Sequence, residues 1–90
     1  MEENFRMLVS SLKNKKFNDM RKWVAENSDI EQTEVMRRLF DVSNSMMKEQ
    51  AIPGVILILS KYMYQSAFST DPEINLTACL TEIMVEDAFK

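Results

Sequence analysis

Few residues in this chain could do chemistry. There is no histidine, one cysteine (Cys79) and one glycine (Gly54), alongside fourteen carboxylates. Without histidine, Ser/His/Asp and Cys/His nucleophile arrangements are excluded, because the thiol or hydroxyl has no imidazole to take its proton. No cluster has zinc-ligand spacing. A single glycine cannot build the glycine-rich loop whose backbone amides cradle phosphate. The carboxylate pairs Glu31 with Glu34 and Glu86 with Asp87 fall on polar helix faces, where solvation is the expected state and a raised general-acid pKa is not. Cys79 lies between Ala78 and Leu80 on an expected helix and reads as a small buried hydrophobe. As an independent enzyme the chain has very little to work with.

Charge narrows the remaining classes. Up to Lys22 there are six Lys/Arg against the three acids Glu2, Glu3 and Asp19, and from Asp71 onward five acids stand against Lys90 alone. Such opposite ends could guide head-to-tail packing of identical subunits, although solvated faces are the ordinary reading. Overall the formal charge is −3, which is no basic signature for nucleic acid. Lys13, Lys15 and Lys16 could touch phosphate, but no aromatic interleaves with them as single-strand binding requires. Arg37-Arg38 could serve a helix-turn-helix reader, yet Leu39 and Phe40 behind them suit a core helix equally and no glycine-containing turn precedes them. One cysteine permits no intrachain disulfide, which fits a reducing, cytoplasmic setting. No signal-peptide pattern is seen, and the apolar run Ile52–Leu59 is too short for a bilayer, so no membrane partner is expected.

The elements that would position any site are helices. Ninety residues allow one modest core, and with one Gly and two Pro the positive-φ turns of a sheet-rich fold are scarce. The expectation is an all-α, compact five-helix domain with short connecting turns. The first helix is Glu2–Leu12, with Phe5, Leu8, Val9 and Leu12 at helical spacing. The turn Asn14-Lys15-Lys16 follows, with Asn14 the residue suited to a left-handed conformation. The second is Phe17–Glu26, where Asn18 could cap and Phe17, Met20 and Val24 form a stripe with Trp23 at its edge. Ser28 with Glu31, or Asp29 with Gln32, could begin the third. It runs to about Lys48 and carries Val35, Met36, Leu39, Phe40, Ser43, Met46 and Met47. Pro53 marks the start of the fourth. The fifth opens at Thr70 or Asp71 with Pro72 and Glu73, and carries Leu76, Leu80, Ile83 and Met84.

The fourth helix is the informative one. Residues 50–70 contain a single charge, Lys61, in a chain that is 28% charged. A surface helix alternates an apolar stripe with a polar face, whereas this one is apolar almost all round. Continuation of the pattern past VILIL, with no partner strand elsewhere, favours helix over buried strand. Val55, Ile56, Leu59, Met63 and Ala67 fall on one broad side. Leu57, Lys61, Tyr64 and Phe68 fall on another, at intervals of four, three and four. The second side is either further core or a face for another chain, with the Lys61 stem snorkelling among the aromatics.

The helix order and local motifs resemble the C-terminal collar domain of the small ATPase subunits of sliding-clamp loaders, the replication factor C family and its phage counterparts. The match spans about Leu8 to Met84. It rests on Leu12-Lys13-Asn14-Lys15-Lys16-Phe17, then Met20-Arg21-Lys22, the break at Ser28-Asp29, and the long helix Val35–Met47. The segment Leu59–Phe68 follows, with Tyr64 at the family's aromatic place, then Glu73-Ile74-Asn75-Leu76. Departures mark a divergent, phage-like member. Asn14-Lys15 and Ser69 stand where the family carries glycine, and Gln65-Ser66 where it often has Arg-Leu.

The resemblance implies that residues 1–90 are a single oligomerisation domain, the C-terminal third of a longer ATPase subunit. ATP and Mg would be bound by upstream modules, and this part would bind no cofactor. It implies partners as well: other clamp-loader subunits in a pentamer, with the sliding clamp and primer–template DNA met by the upstream part. The setting would be cytoplasm, that of the host if phage-encoded. Leu57, Lys61, Tyr64 and Phe68 are the expected subunit interface. The alternative is a small, self-contained helical DNA-binding or regulatory protein.

Overall fold

The computed structural model describes residues 1–90. Five α-helices follow one another: α1 (Glu3–Lys13), α2 (Phe17–Glu26), α3 (Gln32–Met46), α4 (Ile52–Ser66) and α5 (Pro72–Val85), with a short 3-10 turn (Glu49–Ala51) leading into α4. The all-α expectation holds, and VILIL is helical. No helix is long and apolar enough to cross a membrane.

The principal contacts put α1 and α2 on each other and on α5, and put α4 on α3 and α5. The central helix is therefore α5, and not the conspicuously apolar α4. Leu76, Cys79, Leu80, Ile83 and Met84 are buried on α5, while Thr77, Ala78, Thr81 and Glu82 between them are half-buried. Leu8 and Leu12 from α1, Met20 and Val24 from α2, Val35, Met36 and Leu39 from α3, and Val55 and Leu59 from α4 complete the core.

The helix ends are made differently from expectation in three places. Asn18 caps nothing: Lys16 occupies the cap position of α2 and offers no side-chain bond. Neither Ser28 nor Asp29 caps α3, which starts after Glu31 without a side-chain cap. In the α1–α2 turn the left-handed residue is Lys15 (φ 55°), while Asn14 sits at φ −90°. The Asn27 side chain meets a tertiary demand instead. Its amide donates to Trp23 O (2.8 Å) and its oxygen accepts from Asn4 Nδ2 (2.6 Å), while the Trp23 indole donates to Asn4 O (2.8 Å). Those bonds draw Trp23 inward to 6% exposure, so it belongs to the core and not to the edge of the stripe.

At α5 the expected start is present. Asp71 Oδ1 accepts from the backbone N–H groups of Glu73 (3.0 Å) and Ile74 (3.3 Å), and Pro72 occupies the first turn. Asp71→Ala leaves those two donors without a protein partner. It is expected to cost about 1 kcal/mol, read as a shifted urea midpoint with an unchanged slope.

The last four residues close the fold in a way the local pattern does not announce. Asp87 turns the chain with φ 54°. Lys48 N–H then donates to Ala88 O (2.8 Å) and Lys90 N–H to Met46 O (3.0 Å). Met47, Ala88 and Phe89 are buried at this isolated antiparallel bridge. The Asp87 carboxylate meets Lys48 (3.0 Å) and Lys15 (3.5 Å). Part of the opposite charge of the two ends is thus satisfied within one chain.

Candidate functional site

Helix α4 packs through Val55, Ile58 and Leu59, with Tyr62 and Met63 partly buried behind them. This inner face is rotated from the expected one: Ile56 and Ala67 are exposed, and Ile58 and Tyr62 point inward. The cause is position. With α3 and α5 as its neighbours, α4 buries only the arc facing both.

Leu57, Tyr64 and Phe68 are left outside. They are 72%, 72% and 70% exposed, so the face is not further core. Their helical spacing puts them in one row along the helix. The Tyr64 and Phe68 rings meet at 5.3 Å between centroids, tilted by 54°. Single exposed apolar residues are ordinary, but a row of a leucine and two paired aromatics is not. Ile74, 68% exposed, extends it: with Phe68, Tyr62 and Gln65 it walls the groove between the end of α4 and the start of α5. Its one sequence signal is a place off the Leu76–Leu80–Ile83 stripe.

Lys61 behaves differently from expectation. Its ammonium does not rise among the outer aromatics but turns toward α5, meeting Glu82 Oε2 at 2.7 Å and lying 4.9 Å from the centre of the Tyr62 ring. Glu82 is accordingly half-buried and paired, not a free member of a polar face. Lys61, and then the Tyr62 hydroxyl, hold the Glu82 carboxyl below its ordinary range. Burial and the same carboxylate push the Tyr62 phenol up to about 12. Burial, then Glu82, pushes the Cys79 thiol up to about 12, so it carries no thiolate at neutral pH.

A pH dependence follows. A carboxyl whose folded pKa is depressed adds stability that is fully present above its unfolded value, about 4.3 for Glu. That stability is lost as pH falls through the folded value. Lys61→Met is therefore expected to raise the Glu82 titration midpoint, followed by carboxyl NMR shifts. It should also reduce the difference between urea midpoints at neutral pH and below the carboxylate range. An unmoved Glu82 midpoint would show that Lys61 does not hold the carboxylate.

The other sequence-marked groups do not converge. Cys79 is buried in the core. No three His, Cys, Asp or Glu side chains are grouped so as to hold a metal. Glu34 pairs with Arg38 (2.8 Å) and Asp41 with Arg37 (3.0 Å), and Arg38 also reaches Glu2 (3.4 Å). Phe40, expected in the core, is 41% exposed beneath the Arg37 guanidinium at 5.1 Å, and Phe17 is 40% exposed. What the arrangement offers is exposed hydrophobic contact area. No family model, curated protein or solved structure matches the chain.

Proposed function

We propose that this chain is a packing module, the collar-type oligomerisation domain of a sliding-clamp loader small subunit, holding ATPase modules in a pentameric assembly for DNA replication. The observation that carries the reading is the uncovered row Leu57, Tyr64 and Phe68 on α4. Aromatic side chains supply large contact area at small entropic cost and are enriched in subunit contacts. The clamp-loader assignment adds the order of motifs to that row. The left-handed Lys15 is consistent with it, because it stands in the turn where the family pattern carries glycine, the residue that adopts such a backbone without strain. In this reading ATP, Mg, the sliding clamp and primer–template DNA engage the upstream modules, and the collar sets subunit order.

A self-contained DNA-binding or regulatory protein is the competing reading. Arg37 and Arg38 support it less than their sequence suggests, since both are engaged by carboxylates one turn away. Light scattering over a wide concentration range, with and without duplex DNA, separates the two. The expected result is a molar mass that rises with concentration and is indifferent to DNA. A monomer that binds duplex DNA and is released by salt would overturn the collar assignment. Upstream of residue 1, the coding frame is expected to reach a Gly-Lys-Ser/Thr phosphate loop.

A further inference from the structure

We infer that the α4 row docks in one direction, its Tyr64–Phe68 pair entering the groove between α1 and α2 of a second copy of this chain. The inference rests on the reading of the row as a subunit interface and adds to it the surface that receives it. Three observations lead there.

The first is placement. Helices α1 and α2 pack on each other and on α5, while α4 packs on α3 and α5. The outer face of α4 and the outer groove of the α1–α2 pair thus lie on different flanks of the central helix. A contact between two different faces repeats from copy to copy and closes into a ring or runs on as a filament. A contact of α4 with α4 stops at two.

The second is shape and surface type. The groove is walled by Arg6, Met7, Ser10, Lys16, Lys22 and the edge of Trp23. Met7, 59% exposed at its rim, and the Trp23 edge are its two apolar contributors. A paired tyrosine and phenylalanine present apolar faces to the methionine and negative ring faces to the arginine and lysines.

The third is charge. Six cations stand against three carboxylates over residues 3–26, of which Lys15 alone is taken, by Asp87. The groove itself also holds Glu3, Asp19 and Glu26, so it balances its own charge and the excess lies around it. On the other flank Lys61 is neutralised by Glu82. Asp71 and Glu73, both exposed, then leave the end of the α4 row negative. An α1–α2 pair in positive excess facing a negative α4–α5 end steers unlike flanks together and sets like flanks apart.

Cross-linking decides the direction. Gln65→Cys places a thiol beside Phe68 and Ser10→Cys places one in the groove, each at an exposed residue outside the contact's apolar anchors. Cys79, fully buried, stays silent in the folded chain. With a short bismaleimide, a mixture of the two variants is expected to give a joined pair several-fold in excess of either variant alone. Adding Tyr64→Glu to the Gln65→Cys chain should abolish that excess. Gln65→Cys joining chiefly to itself would overturn the direction while leaving the row an interface. A mixture yielding no more than a Ser45→Cys control on α3 would overturn the α1–α2 groove as the receiving surface. The interface reading is judged separately, by the concentration dependence of the molar mass.

Discussion

Tyr64→Glu is expected to weaken association at least about 30-fold, the equivalent of a hot-spot loss of about 2 kcal/mol, while leaving the fold in place. The ring is 72% exposed and touches Phe68 outside the core. Removing it therefore opens no cavity, and a surface change of this kind moves stability by less than about 0.5 kcal/mol. In a docked pair, however, glutamate would have to bring a carboxylate into an apolar contact with no partner provided for it, and a desolvated unpaired charge is costly. Light scattering measures the first effect; circular dichroism with a urea melt measures the second. Unfolding of the isolated chain would show that Tyr64 belongs to the core. Unimpaired association would show that the row is not the interface.

Leu80→Ala should do the reverse. Leu80 is 0% exposed on the helix that packs against α1, α2, α3 and α4. Truncating it loses transfer free energy and leaves a cavity that four neighbouring helices cannot all relax to fill. A loss of about 3 to 4 kcal/mol is expected, a large part of the roughly 5 to 13 kcal/mol available to a domain of this size. Urea unfolding should show a lowered midpoint with an unchanged slope. A loss below about 1 kcal/mol would be the ordinary result for a peripheral position and would deny α5 its central place. Together the two variants separate the buried core from the exposed α4 row.

The contrast between α4 and α5 marks how far the sequence could be read. Helix positions follow from local physics. Apolar residues at spacings of three and four define α1 to α3, and Asp71-Pro72-Glu73 starts α5 because an aspartate can accept two free amide donors there. The exclusion of imidazole-dependent catalysis is equally local, since it depends only on a residue type that the chain lacks. The row Leu57, Tyr64 and Phe68 was legible as a row, but not as an exposed one. Periodicity states which residues are apolar and is silent about what covers them.

Coverage is a tertiary property, and only the fold decided it. Leu57 and Ile58 are adjacent and similarly apolar, yet one is 72% and the other 8% exposed, because α3 and α5 occupy a single arc around α4. The same holds for the inward turn of Lys61 to Glu82 and for the tail, where Lys48 and Ala88 join backbones 40 residues apart. Neither contact has a local pattern, because each is made by groups that approach only after the helices have packed. The amino-acid sequence thus determined five helices and, with no histidine, excluded imidazole-dependent catalysis. The packing around α5 determined which apolar face was left exposed.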